Sequence, residues 1–343
     1  MKEKPVTLND IAAKLNITPV TVSKALRNHP DISPKTTKLV KKTAAELGYL
    51  PNIIARNLAA RKSNTIGVVL PKIEHSFFAS IIESIYDIAE ENGYEVILTI
   101  SQEDNEREKR QIQTLLAMKV DGIIISISEK TRDTSIFELV KRRGVPLIFI
   151  DRIPDMENIN KVAVDDRGGA FKATEHAIKI GYRKIGHFAG YTNINIGRER
   201  YLGFKDAMKK HKIKINPQWV IEGDYSEKHG YNSFMKLYKE KNLPDFIFTA
   251  TYPIALGIYA AAAEVGLKIP DDLDLICFGN AKAIELLSPP LSCVDQSTQL
   301  ISQHCMSILL ENIIKGEEFK PKSVLIETDL IIRGTCVKYN RAK

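Results

Sequence analysis

The chain is poor in cysteine and tryptophan, with four Cys and one Trp in 343 residues. Cys277, Cys293, Cys305 and Cys336 all fall in the last quarter, and none belongs to a C-x-x-C pair. That pattern argues against a disulfide framework or a zinc site and for buried, reduced thiols. Long apolar runs are missing too: none reaches the roughly 18 residues that a membrane-spanning helix needs. The start, MKEKPVTLND, has no apolar stretch after its lysines, so no secretory signal is read there and a cytoplasmic location is expected. The motifs of common enzyme chemistry are also lacking: no P-loop, no G-x-S-x-G, no H-E-x-x-H and no G-x-G-x-x-G. The GGAF at 168–171 is not a dinucleotide fingerprint. The seven His show no metal-ligand spacing, so neither metal nor cofactor is expected. His187, inside an apolar run, reads as a core histidine. Asp165 and Asp166, read as strand neighbours, point to opposite faces and could not work together as acid and base. An enzyme is not expected.

What is present is an uneven distribution of charge. The net charge is +7. Residues 1–62 hold 12 Lys and Arg against 4 Asp and Glu, a balance of +8, while the other 281 residues hold 37 against 38. A small basic module on a near-neutral body suggests a polyanion-binding head. With 44% hydrophobic and 27% charged residues the composition is that of an ordinary globular protein, which excludes a mainly disordered or fibrous chain.

The head carries helical patterning. In TLNDIAAKL, Thr7 and Asp10 have capping-box spacing, and Leu8, Ile11, Ala12 and Leu15 form one apolar stripe. Thr18-Pro19 restarts a helix over 19–26, with Val22, Ala25 and Leu26 on its inner face. Two short helices separated by a tight turn make a helix-turn-helix. The second would be about 12 Å long at 1.5 Å per residue, a fit to a major groove about 12 Å wide. Ser33-Pro34 opens a third helix whose face is read as Leu39, Val40, Ala44 and Leu47, with Gly48 as its stop. Pro51-Asn52 then leads into IIARNLAARKSN. A helix this short is marginal alone, so this segment is expected to fold on a partner or on DNA.

VTLNDIAAKLNITPVTVSKAL followed by LGYLPNIIARNLAARKSNTIGVVLP closely resembles the LacI/GalR family of bacterial transcription regulators, and the resemblance extends over essentially the whole chain. It implies that the second helix enters the major groove, with Pro19, Val20 and Lys24 facing base edges. Thr21, Ser23, Thr36, Tyr49 and Asn52 would approach phosphates. Thr7, Leu8, Thr18, Arg27 and Ser33, at the ends of the same helices, complete the expected DNA-facing set. Residues 52–60 would form the hinge helix, with Leu58 and Ala55 at the minor-groove step that two subunits wedge open. Many members carry a long polar or Arg side chain where this chain has Val20 and Lys24. Pro19 and Val20 offer no donor and suit a thymine methyl, whereas Lys24 can donate to guanine. The operator sequence therefore does not carry over from a relative.

After residue 63, apolar runs alternate with amphipathic stretches. Strands are expected at 65–70, 94–100, 122–127, 146–150, 184–189, 246–249, 273–278 and 324–327. Such alternation implies parallel sheets covered on both faces, and some 280 residues exceed one comfortable core. The expected fold is an all-α helix-turn-helix head (1–50), a hinge helix and linker (51–63) and an α/β body of two doubly wound subdomains (64–343). This agrees with the family, whose body resembles a type I periplasmic binding protein with three crossings between lobes. These are placed near 161–163, 291–293 and 324–328. They give an N-subdomain of 64–161 and 293–324 and a C-subdomain of 162–292 and 325–343.

Ligands of open α/β sheets bind beyond the carboxyl ends of strands. That rule and the resemblance together select Phe78, Asp151, Arg152, Arg200, Tyr225, Thr251, Asn280 and Gln296 as effector-binding candidates. Arg and Asp can pair with neighbouring hydroxyls while an aromatic face covers a ring. The family usually reads N-D where this chain has Thr251-Tyr252, and an acidic residue is missing around Phe278, Gly279 and Asn280. The expected function is a homodimeric repressor of a near-palindromic double-stranded DNA operator, controlled by a small-molecule effector, a sugar or sugar derivative. A nucleobase or sugar phosphate is the alternative effector, and a sugar-binding protein without regulatory coupling the alternative function. No membrane partner is expected, and KYNRAK offers no heptad tail for a tetramer.

Overall fold

The computed structural model describes residues 6–50, 62–73 and 76–338. They divide into a head that ends at Ser63 and a body that begins at Asn64.

The head is three helices around one small core. Helix α1 (Leu8–Leu15) begins at Thr7, whose N–H and hydroxyl both donate to the Asp10 carboxylate at 2.7 Å. Asn16, in the left-handed region at φ 52°, ends it. Helix α2 (Pro19–Leu26) starts where the Thr18 hydroxyl accepts the Thr21 N–H at 3.1 Å. Helix α3 (Pro34–Glu46) repeats the device, with Ser33 accepting from Thr36 at 3.2 Å. Each cap satisfies a donor that the helix itself leaves free, and proline at the next position lacks one. Ile11, Ala12, Val22, Ala25, Val40 and Ala44 are buried together, and Leu8, Leu15, Leu26, Leu47 and Tyr49 pack around them. One core expectation fails. Leu39 is 51% exposed, and Thr43 takes its place in the interior. The buried stripe runs 40–43–44–47, and Leu39 lies about 100° round the helix from Val40.

The body is two six-stranded sheets. The chain runs β1 (Thr65–Leu70), α4 (Ser76–Glu91), β2 (Glu95–Ile100), α5 (Asn105–Ala117), β3 (Gly122–Ile125), α6 (Ser135–Arg142), β4 (Leu147–Ile150) and β5 (Asn160–Val164). It continues α7 (Asp166–Ile180), β6 (Ile185–Gly190), α8 (Asn195–Lys210), β7 (Val220–Gly223), α9 (Glu227–Lys239), β8 (Phe246–Thr249), α10 (Tyr252–Glu264), β9 (Asp274–Phe278) and β10 (Ser292–Asp295). It ends with α11 (Thr298–Lys315), β11 (Ser323–Ile326) and β12 (Asp329–Ile331). The first sheet has the order β11-β5-β4-β3-β1-β2, the second β12-β10-β9-β8-β6-β7. Every pairing is parallel except β10 with β12. Central strands β3, β4, β8 and β9 are buried throughout, as parallel strands covered on both faces must be.

The sheets define two lobes. The chain leaves the first after Val164, returns between Asp295 and Thr298, and leaves again between Ile326 and Asp329. Positions 161–163 lie inside β5 and 291–293 at the start of β10, so the first two crossings come a few residues later than expected. They fall at the carboxyl ends of those strands. All four cysteines are buried and free. Within the second lobe α9 and α10 touch backbone to backbone. A Cβ on Gly230 would lie 1.9 Å from the Ile254 carbonyl oxygen, and one on Gly257 1.9 Å from that of Glu227.

Candidate functional site

The outer face of the head is built by α2. Pro19 and Val20 project into solvent, and Val20 is 65% exposed. Lys24, one turn further on, lies on the same stripe. Its Nζ is 2.8 Å from the Asp31 carboxylate. Arg27 folds back along the helix, with Nε donating to the Ser23 carbonyl at 3.1 Å and Nη2 to its hydroxyl at 3.2 Å. The Thr18 and Thr21 hydroxyls pair at 2.9 Å, as do those of Ser33 and Thr36. Thr7 is engaged with Asp10, while Leu8 and Tyr49 pack against the core. Asn52, Ala55 and Leu58 lie outside the described residues.

In the body a cavity of about 240 Å³ opens between the lobes. It is lined by Lys72, Phe78, Gln102, Glu103, Glu129, Lys130 and Arg152 of the first lobe and by Asp224 and Tyr225 of the second. The candidates Phe78, Arg152 and Tyr225 therefore meet at one site. Arg152 donates through Nη1 to Glu103 at 2.7 Å and lies over the Tyr225 ring, 5.1 Å from its centroid. Its buried Nε has no partner. Glu103 also accepts the Glu129 N–H at 2.9 Å. Tyr225 donates to the Tyr191 carbonyl at 3.2 Å and sits against Gly190, where an added Cβ would meet the ring at 1.9 Å. Glycine is required there by the aromatic side chain itself. Burial raises the pKa of Glu129, and the neighbouring Glu103 charge adds to the rise.

Asp151 ends the strand before Arg152 in the left-handed region, at φ 58°. Its carboxyl is pushed up by burial and pulled back by Arg200 and Arg152. Direct hydrogen bonds join the lobes around the cavity. Asn195 donates to the Asp151 carbonyl at 2.8 Å and accepts the Ile153 N–H at 2.9 Å. Asn193 donates to the Glu129 carbonyl at 3.0 Å. The Tyr252 hydroxyl accepts the Ser76 N–H at 3.0 Å and pairs with its hydroxyl at 3.2 Å.

Arg200 is not among the residues that line this cavity. It is 1% exposed, and its Nε donates to Asp166 at 2.7 Å and its Nη1 to the Ala250 carbonyl at 2.6 Å. The guanidinium lies 3.8 Å from the centroid of Phe278. Asp166 is pushed up to about 7 by burial, against the pull of Arg200. Asp165 and Asp166 are not strand neighbours: Asp165 caps α7 by accepting the Gly168 N–H at 2.8 Å, and Asp166 opens that helix. Their separation as acid and base comes from these two different tasks. Asn280 accepts from Arg333 at 2.9 Å, and the Thr251 hydroxyl reaches the Tyr225 carbonyl at 3.5 Å. Gln296 is buried beside Gly279, with its Nε2 unpartnered. His187 is a core residue. Its ring stacks on Phe248 and Phe204, its Nδ1 is 2.9 Å from the Phe248 carbonyl oxygen, and burial lowers its pKa to about 4.

Lys72, Gln102, Glu103, Glu129 and Lys130 were missed from sequence. Each follows the end of a first-lobe strand within a few residues, so the strand-end rule applied to every strand would have found them. Among the described residues no group of His, Cys, Asp or Glu could hold a metal ion, and no helix is long and apolar enough to cross a membrane.

Two family models match the chain. "Bacterial regulatory proteins, lacI family" covers residues 7–52, and "Periplasmic binding proteins and sugar binding domain of LacI family" covers 63–334. Among curated relatives, an HTH-type transcriptional repressor PurR of Haemophilus influenzae (strain PittEE) is 32% identical over 331 residues, 95% of this chain and 97% of the relative. A PurR repressor of Actinobacillus pleuropneumoniae serotype 3 is 28% identical over 98% of this chain and 99% of its own length. Among solved structures, the Lac repressor dimer bound to operator and the anti-inducer ONPF superposes with a TM-score of 0.85 at 27% identity, covering 97% of this chain and 99% of that one. The CelR–cellobiose complex gives 0.73 at 25% identity, over 96% and 99%. The basic three-helix head, the two parallel-sheet lobes and these matches agree: the chain belongs to the LacI family and is a DNA-binding transcriptional repressor.

Proposed function

We propose that this repressor acts as a homodimer on a near-palindromic operator. Each head presents α2 to the major groove of one half-site, and the relation between the lobes sets DNA affinity through a small molecule bound in their cavity. The observation that carries this reading is the cavity itself. Its lining comes from both lobes, so an occupant contacts both and favours one relation between them.

The effector favoured by the lining is a flat, polar heterocycle of the nucleobase class. Phe78 and Tyr225 supply aromatic surface, and Arg152 brings its guanidinium, planar and rich in donors, to the same wall. Where the family usually has acidic residues this chain has Tyr252, which spends its hydroxyl on Ser76, and a Phe278-Gly279-Asn280 segment whose Asn280 is held by Arg333. Of the carboxylates that do line the cavity, Glu103, Glu129 and Asp224, the first is engaged by Arg152. The sugar expected from sequence has a parallel in the CelR–cellobiose complex, whereas the curated relatives are PurR repressors.

A thermal-shift panel of nucleobases, nucleosides, sugars and sugar phosphates tests both levels. A ligand at 100 times its Kd stabilises by about 2.7 kcal/mol. A nucleobase hit lost in Arg152→Ala is expected. A sugar hit lost in the same variant would overturn the ligand class alone. Absence of binding in all four classes would overturn the effector reading.

A further inference from the structure

An acid stands on the surface that would meet DNA. Asp31, in the turn between α2 and α3, is 59% exposed at its side chain and lies 2.8 Å from Lys24 Nζ, whose side chain is 36% exposed. On the other side His29 Nδ1 accepts the Asp31 N–H at 3.3 Å and lies 3.3 Å from the Asp31 carboxylate. The Lys24 and His29 contacts hold the Asp31 carboxyl below its ordinary range, so it is ionised. A carboxylate facing a polyanion lowers affinity for every sequence alike. Its compensating effect must lie in telling sequences apart.

The pair presents a cationic donor and an anionic acceptor side by side. In the major groove a G·C pair presents the complementary row: guanine O6 accepts and cytosine N4 donates. Those two atoms are partners in one base-pairing hydrogen bond, so they stand about 2.9 Å apart. The two rows match in spacing and are opposite in polarity. In a C·G or A·T pair an amino group would lie under Lys24 and a carbonyl under Asp31, so both contacts become repulsive. A T·A pair keeps the order of acceptor and donor but puts a methyl where guanine has N7, which the remaining Lys24 protons reach only in guanine.

We propose that Lys24 and Asp31 act as one reading unit, with Lys24 donating to guanine and Asp31 accepting from the amino group of the paired cytosine. The unit thereby fixes both the base pair and its orientation in each half-site. This rests on the reading that α2 faces base edges. Val20, one turn earlier on the same stripe, reads the neighbouring steps by apolar contact. Asp31 is the specificity-determining residue that sequence alone did not single out. Its importance depends on a side-chain bond across seven residues of chain.

The test is in-vitro selection with the full chain on a library of randomised palindromes, for the wild type and for Asp31→Ala in parallel. It is followed by binding to duplexes that differ only at the selected position. The wild type should enrich G·C in one orientation at one symmetric position and bind the reversed C·G pair at least about tenfold more weakly. Asp31→Ala should bind random DNA more tightly and discriminate the two orientations by less than about threefold, because a freed Lys24 reaches guanine on either strand. Asp31→Asn, which keeps the shape and an acceptor, should lie between them. Equal tightening on all sequences with orientation preference unchanged in Asp31→Ala would show that Asp31 only repels DNA, and would overturn the reading unit. Failure of the wild type to enrich any site would overturn this and the reading of α2 together.

Discussion

Replacing Arg200 by alanine tests whether this residue is a strut of the second lobe rather than a ligand. Its guanidinium makes two short hydrogen bonds, to the Asp166 carboxylate and the Ala250 carbonyl, and covers the face of Phe278. Removing it leaves a carboxylate that is itself 4% exposed without its counter-charge. At pH 9 the wild-type Asp166 carboxyl, with its pKa of about 7, is ionised. Measured there, breaking the buried pair from one side costs about 3–5 kcal/mol, whether the orphaned carboxylate stays charged or has to take up a proton. At about 2–4 °C per kcal/mol, the melting temperature should fall by roughly 6–20 °C. Trp219 is the chain's one tryptophan and packs in the second lobe, with Nε1 donating to the Asn242 carbonyl at 2.9 Å. Its fluorescence therefore reports the unfolding of the lobe in question. Adding Asp166→Asn removes the orphaned charge, and the double variant should recover at least half of the loss. A fall of less than about 1 kcal/mol in Arg200→Ala, or no recovery in the double variant, would show that Arg200 is not a strut of the lobe.

Asp166 also predicts a pH dependence. Its folded pKa of about 7 lies above the unfolded value of 3.8, so between pH 4 and 7 the folded state holds the extra proton and stability is lost as pH rises. His187 acts in the opposite sense, since its folded pKa is about 4 against an ordinary 6.5, and its contribution is lost as pH falls. Relative to wild type, Asp166→Asn should therefore gain stability from pH 4.5 to 7.5 in urea melts; parallel curves would contradict this. Gly190→Ala drives a Cβ into the Tyr225 ring. It should cost about 1–3 kcal/mol of stability and weaken effector binding at least as much as Tyr225→Ala does; unchanged calorimetric affinity would remove Tyr225 from the site. Tyr252→Phe deletes the hydroxyl that holds Ser76. At about 1 kcal/mol it should weaken effector binding about fivefold if closure accompanies binding, and an unchanged Kd would show that this contact plays no part in closure.

The head was legible almost residue by residue because caps, prolines and apolar spacing all act locally. Thr18-Pro19 and Ser33-Pro34 announce α2 and α3 without help from the rest of the chain. The error at Leu39 arose because two adjacent apolar residues, 39 and 40, cannot both face a narrow core, and one polar Thr43 was the better fit. In the body, the all-buried strands β3, β4, β8 and β9, and β1 beyond Thr65, were visible as continuous apolar runs. The missed strands include β7 and β12, short edges with little apolar content, and β5, which alternates buried and half-buried positions. The cavity was half legible. Phe78, Arg152 and Tyr225 line one cavity, but the partners of Arg200 and Asn280, Asp166 and Arg333, lie 34 and 53 residues away in the chain. No local pattern announces partners at such separations.

On the proposed function, a molecule in the interlobe cavity controls the grip of the head on DNA. The most direct test is fluorescence anisotropy of the full chain on its selected operator, with each panel compound titrated at saturating concentration. The prediction is that at least one nucleobase-class compound changes operator affinity by about 5–150-fold, the usual span of coupling between sites, and that Arg152→Ala loses the change while still binding operator. A compound that binds the wild type but not Arg152→Ala by calorimetry, yet leaves operator affinity unaltered, would show that the cavity does not control the head.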